Sequence, residues 1–221
     1  MYFCKKNIGL IGVVTGDIVD STRLSASDRD RLLSVLNTLL LDADPHGERN
    51  SAIFRGDSFQ IKLSQPSQAA RVALSIRSGL ICATPPAATA LWDARISVGV
   101  GEEAYVGENV GKSDGEAFRL SGRRLDEMKN SRLSFLTASN FVNEELAVEV
   151  NFIDDIVSHW SRNQAFVAHQ YFHSEPPAQQ AIARQMRVTA QRANQLYHAA
   201  KVPLILPFIA RFENLVAFLL S

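Results

Sequence analysis

Two short stretches decide how this chain reads: "VVTGDIVDST" at Val13–Thr22 and "FRGDSFQI" at Phe54–Ile61. Each is an apolar run that delivers a Gly-Asp pair. Ile8–Val14 is continuously apolar, rich in β-branched residues and closed by Gly16, which is the pattern of a buried strand. Ile53–Phe54 and Phe59–Leu63 flank Gly56-Asp57 and predict a hairpin that turns at that pair. An acid at the exit of a central strand and a second at the turn of a neighbouring hairpin can face one point. Two such carboxylates are what a magnesium ion takes from a protein when substrate phosphates and waters supply the rest. Asp17 and Asp57 are therefore candidate metal ligands. Gly16, Ile18, Gly56 and Ser58 beside them form the candidate ligand-binding set, because glycine lets the backbone turn sharply and approach a phosphate. Taken singly, each Gly-Asp reads more readily as an ordinary turn, because the dipeptide is a common one there.

Outward from these stretches, helices and strands alternate. "SASDRDRLLSVLNTLLLDAD" reads as a helix capped by Ser27, with Leu32, Val35, Leu36, Leu39 and Leu40 on one stripe. "PSQAARVALSIRSGLICA" gives a second helix after Pro66, and "ARISVGVG" (Ala94–Gly101) an alternating strand ended by glycine. A loop rich in Gly and acid (102–114) leads into a third helix, "GEAFRLSGRRLDEMKNS". "LSFLTA" predicts a strand, "SNFVNEEL" a short helix and "AVEVNFI" a last strand. The expectation is an α+β sandwich with helices covering one sheet. After residue 155 the strand signals stop, and four helices are expected near 156–173, 177–187, 190–200 and 204–220. No internal repeat or low-complexity tract interrupts the chain.

The 221 residues suffice for one large domain or a medium one with an appendage, and 46% apolar content supports a proper core. Net charge is zero but unevenly shared. Residues 1–154 carry 17 basic and 20 acidic side chains, residues 155–221 carry 6 and 3, and four of the five histidines lie in the second part. Charge and secondary structure together predict two units, 1–154 and 155–221. Cys4 and Cys82 have no metal or redox spacing and fit reduced thiols of a cytoplasmic protein. Lys5 and Lys6 precede too few apolar residues for a signal peptide. The greasy "VPLILPFIARFENLVAFLLS" is broken by two prolines, Arg211 and Glu213, and reads as a packed helix rather than a membrane span.

"GDIVDSTRL", "FRGDSFQI", "ARISVGVG" and "GEAFRLSGRRLDEM", in this order and spacing, resemble the blocks of class III nucleotidyl cyclase domains. The likeness covers about 8–152. A closer resemblance, through "GD" at the first strand, "RGD.FQ" in the hairpin and "G.AF.L.GR.LD", is to SatD-like bacterial proteins. The resemblance implies a ferredoxin-like fold and Mg²⁺ held with a nucleotide by Asp17 and Asp57. It also implies a transition-state arginine at Arg123, supplied across a homodimer interface. Three positions depart from the cyclase pattern. The base-reading lysine falls at Ile53, its acidic partner at Lys112, and the ribose-positioning asparagine at Arg119. Arg119 and Arg123, four apart on one helix face, suit bidentate phosphate contacts as well as a solvated face. Arg124 reads as surface. Asp20, three beyond Asp17, reads as a spare ligand or a helix-start acid.

"QQAIARQMRVTAQRANQLYHAA" (Gln179–Ala200) has the spacing of two helices joined by a turn. Ile182 and Ala183 sit in the first, Met186 and Val188 bracket the turn, Thr189 caps the second, and Ala193 and Leu196 point to a core. Gln191, Arg192, Asn194 and Gln195 remain outward, the side chains that read base edges in a major groove. Arg184, Arg187 and Lys201 are placed for phosphates. The segment resembles the helix-turn-helix of sigma factors, except that Arg187 holds the turn position where glycine is usual.

Three functions follow as expectations. The first is a DNA-binding regulator whose cyclase-like domain binds a nucleotide or other phosphorylated ligand with Mg²⁺. The second is an active nucleotidyl cyclase or nucleotidyl-transfer enzyme. The third is a scaffold that binds no ligand. The replaced base-reading positions favour the first over the second, and the acid pair disfavours the third.

Overall fold

The opening apolar run becomes β1 (Leu10–Ile18), which takes antiparallel partners on both sides: β3 (Ser58–Leu63) and β4 (Ala94–Tyr105). A strand paired along both edges and covered on both faces buries apolar side chains on each, which explains Ile11, Val13, Val14 and Ile18. The computed structural model describes residues 9–44, 50–54, 56–173 and 175–220. Cys4, Lys5, Lys6 and the expected strand start at Ile8 lie outside the described residues.

The fold is α+β. The sheet runs β2-β3-β1-β4, where β2 is Ser51–Phe54, and all these pairs are antiparallel. β6 (Leu133–Thr137) adds in parallel to β4, and the two-residue β5 (Asp114–Gly115) pairs with its far end. The hairpin forms where the Gly-Asp pair predicts, with Gly56 at φ +82° in the left-handed region that favours glycine. Alternation along β1 sends Val14 and Ile18 to one face and Ile11 and Val13 to the other.

The Val14 face carries the main core. α1 (Ala26–Ala43) and α2 (Ala69–Ala83) pack there through Leu32, Leu36, Leu40, Leu74, Ile76 and Leu80. Each such side chain contributes roughly 1.5–3 kcal/mol when fully buried. The cap of α1 is Ser25, whose hydroxyl accepts from the Asp28 backbone N–H, rather than the expected Ser27. The opposite face is covered by one helix, α3 (Glu116–Glu127), through Ala117 and Phe118.

The expected short helix and final strand are a single helix, α4 (Asn140–Ser158). The β-branched run Ala147–Ile153 looks extended when read in isolation. Val142, Leu146, Val150, Ile153 and Val157, however, recur every three or four residues, and that stripe is what the core buries. Residue 154 thus lies inside a helix, and the core continues past it. α5 (Arg162–Tyr171) and α8 (Val202–Leu220) contribute Ala165, Ala168, Phe208 and Phe212 to the same cluster as α2 and β6. Phe135 of β6 packs edge-on against Phe208 and Phe212, with ring centroids 5.6 and 5.1 Å away. α8 is long and apolar enough to cross a membrane by length and composition, and one face of it, Val202 to Val216, is buried here.

A buried ion network ties these elements together. Arg77 of α2, fully enclosed, donates to both oxygens of Asp93 at 2.9 and 2.7 Å and to Asp154 of α4 at 2.8 Å. Burial lowers the pKa of Arg77, but Asp93 and Asp154 outweigh it and hold the guanidinium charged, above its ordinary value.

Candidate functional site

Asp17 lies directly opposite Ser58 on β3 and Arg95 on β4. By the alternation of β1 it shares the α3 face with Thr15, whose hydroxyl meets Ser121 of α3 at 2.9 Å. Arg95 Nε donates to Asp17 Oδ1 at 2.9 Å, and Arg95 Nη2 donates to Oδ2. The third arm, Nη1, donates to the Met128 carbonyl just beyond α3 at 2.9 Å. The hydrogen bond to Asp17 raises the Arg95 pKa against the lowering effect of burial, with the charges of Asp17 and Asp126 adding to the rise.

Asp57 sits in the hairpin turn, at the same end of the sheet. Its Oδ2 accepts from the Ser21 hydroxyl at 2.9 Å, its Oδ1 from Ser58 at 3.4 Å, and its carbonyl from the Ile18 N–H at 3.0 Å. The hairpin and the exit of β1 are therefore stitched together through Asp57. Asp20, with φ 54°, turns the chain so that Ser21 reaches it.

Two neighbours have other roles than the one expected of them. A Cβ on Gly16 would lie 2.4 Å from the Phe59 ring and 2.7 Å from the Arg95 carbonyl oxygen, so glycine here admits the Phe59 ring rather than a phosphate. The Ile18 side chain is buried in the main core on the opposite face from Asp17, and only its backbone N–H reaches the hairpin.

Residues fit for a magnesium ion would offer carboxylate oxygens free to coordinate it. Both Asp17 oxygens already face a guanidinium. Among the described residues no three His, Cys, Asp or Glu side chains gather to hold a metal. As folded, the arrangement does not fit the ion: Mg²⁺ at Asp17 requires Arg95 to leave.

Arg119 and Arg123 line a different groove, of about 590 Å³, between α3 and the β4–β6 side of the sheet, with Arg124, Glu102, Glu116 and Glu127. Arg119 Nη1 binds both oxygens of Asp114 at 2.9 Å. Arg124 donates to Ser134 at 3.0 Å. Arg123 is exposed and has no ion pair among the described residues. Among the described residues of one chain, no hydrogen bond or ion pair joins this groove, Arg119 and Arg123 included, to Asp17 or Asp57.

In the last third, α6 (Gln179–Met186) and α7 (Ala190–Ala199) meet through Ile182, Ala183, Ala193 and Leu196, all buried. Between them Arg187 adopts φ 55°, ψ 42°, and Val188 N–H closes onto the Ala183 carbonyl at 3.0 Å. An arginine thus does here what glycine does more cheaply. Thr189 caps α7 by accepting from the Arg192 N–H at 3.1 Å. Arg184, Arg187, Gln191, Arg192, Asn194 and Gln195 are all exposed. Gln179 donates to Asn194 at 2.9 Å and Arg192 to Gln195 at 3.3 Å, so their polar heads are ordered across the surface.

Sequence reasoning missed Arg95, which its register position opposite Asp17 would have exposed once β1 and β4 were paired. It also missed Arg77, hidden in an apolar helix, and His169. Nδ1 of that imidazole lies 3.1 Å from the Ser78 hydroxyl, and burial, then the nearby His173, pushes its pKa down to about 4. Compared with known proteins, the chain matches no family model and no curated sequence.

Proposed function

We propose that the chain is a DNA-binding regulatory protein whose α+β part responds to a nucleotide or other phosphorylated ligand. The observation that carries this reading is the α7 surface. A small-residue contact at Ala183 and Ala193, a left-handed residue at Arg187 and a threonine cap support a helix-turn-helix, in which α7 is the reading helix. What α7 then offers outward is two amides, a guanidinium and a further amide in Gln191, Asn194, Arg192 and Gln195. These groups are suited to bidentate contacts with adenine and guanine edges. Arg184 and Arg187, exposed at the end of α6 and in the turn before α7, suit contacts with phosphates. A cytoplasmic location follows from that reading.

For the front part, the strand order β2-β3-β1-β4 with helical crossovers α1 and α2 supports a ferredoxin-like, cyclase-like sandwich. Arg123, exposed and without an ion pair among the described residues, supports, beside Arg119 and Arg124, an anionic ligand in the α3 groove. A second copy of the chain would be needed to set these arginines against Asp17, as the cyclase resemblance implies.

The test is selection of bound duplexes from a random pool, then fluorescence anisotropy on the enriched sequence over a salt series. The Gln191→Ala, Arg192→Ala, Asn194→Ala triple variant is expected to lose sequence discrimination, at about 1–3 kcal/mol for each bidentate contact removed. Binding that survives the triple variant unchanged, or a pool that never enriches, would refute the reading.

A further inference from the structure

The acid pair that draws attention to this chain points to a divalent metal, and the geometry around Asp17 disagrees. Arg95 is held at three points: its Nε and Nη2 on the two oxygens of Asp17, and its Nη1 on the Met128 carbonyl. It does not reach in from a loop. Arg95 and Asp17 are directly opposite one another on paired strands, so the register of the sheet sets the contact. Asp126 adds negative charge nearby and favours the guanidinium further.

We propose that Arg95 is a resident counter-cation that takes the position of a metal ion at Asp17, so that the folded chain excludes Mg²⁺ and Mn²⁺ from this carboxylate. A charged, geometrically matched fork satisfies both oxygens at once, and a divalent ion must displace it before coordinating. Among the described residues, the guanidinium bonds to oxygen atoms alone, those of Asp17 and the Met128 carbonyl, and the Asp126 carboxylate adds charge nearby. Such a set suits a hard cation as soon as the guanidinium is gone. Arg95 therefore decides whether Asp17 is a metal ligand or half of an ion pair. This inference is independent of what α7 contacts.

The experiment uses the full chain and Mn²⁺ alone, followed by electron paramagnetic resonance of the free ion. The wild-type chain is expected to show no Asp17-dependent binding up to millimolar Mn²⁺. Arg95→Gln is expected to acquire a site at least tenfold tighter than any in the wild type, and Asp17→Asn in that background is expected to remove it. Arg95→Lys, which keeps the charge but loses the fork and the Met128 contact, is expected to fall between the two. Circular dichroism confirms that each variant is folded. Should Arg95→Gln not fold, Arg95→Lys carries the comparison. Wild-type binding that Asp17→Asn abolishes would overturn the proposal. So would folded Arg95 variants that gain no site.

Discussion

Replacing Arg77 by Met is the sharpest test of how this chain is held together. The guanidinium is fully enclosed and makes hydrogen bonds to Asp93, Asp154 and Ser158. Methionine fits much of the volume but leaves two carboxylates facing each other without the cation between them. Breaking a buried pair from one side costs about 3–5 kcal/mol. Two residual supports place the value near the lower end. Arg132 Nη1 still reaches Asp93 at 3.0 Å, and the Arg132 backbone N–H still reaches Asp154 at 2.7 Å. The expected loss is therefore about 3 kcal/mol. With a urea m-value of about 2–3 kcal/mol per molar, the unfolding midpoint falls by about 1–1.5 M. Equilibrium urea unfolding, followed by far-UV circular dichroism and by tryptophan fluorescence, measures it. Trp92 is adjacent to Asp93, and Trp160 lies two residues after Ser158, so fluorescence samples both ends of the network. Because the network joins α2 to α4, both probes should shift together. A loss under about 1 kcal/mol, or a fluorescence transition that moves while the circular dichroism does not, would refute the account of Arg77 as the tie between these helices.

Three further outcomes are expected. The folded chain resists protonation of His169, whose pKa falls to about 4 from an ordinary 6.5, so its contribution is complete above pH 6.5 and is lost as pH drops toward 4; about 3 kcal/mol is at stake. Urea midpoints of wild type and His169→Gln at pH 7.5 and 4.5 should show the variant losing less across that window, and equal losses would count against it. Arg187→Gly relieves a left-handed arginine and should raise stability by about 1 kcal/mol, while weakening DNA binding if that side chain touches phosphate. Burial pushes the Cys82 thiol up to about 11, so in a Cys4→Ser background it should react slowly with a thiol reagent at pH 8 until urea unfolds the chain.

Much of the architecture was legible from local pattern. β1, the hairpin at Gly56 and α2 each carry their own period or turn residue and form where that signal lies, and α6 and α7 form as two helices although arginine holds the turn between them. α4 was not legible because Ala147–Ile153 satisfies two periods at once. Only the core, by choosing the stripe from Val142 to Val157, decides between them. The acid pair was visible in the sequence, but what its members touch was not. Arg95 meets Asp17 through strand pairing across 78 residues, and a linear reading does not set that register. Gly16 reads as a phosphate-approach glycine until Phe59 is seen lying over it. Arg77 stands in the largely apolar α2, and nothing in the local pattern says that this helix is buried on nearly every side and carries that arginine inward.

The aromatic contact between Phe135 and α8 bears on how the last third of the chain can work. Trp160 Nε1 donates to the Ala200 carbonyl at 3.0 Å, at the end of α7, and two residues later α8 begins its run into the core. The α7 surface is thus bolted to the sheet, not carried on a tether. On the proposed reading, a tethered DNA reader would adjust to the spacing of its targets, whereas a bolted one would not. If two copies act on one duplex, their separation is dictated by protein geometry. Inserting half a helical turn between half-sites would then cost nearly as much as deleting one of them.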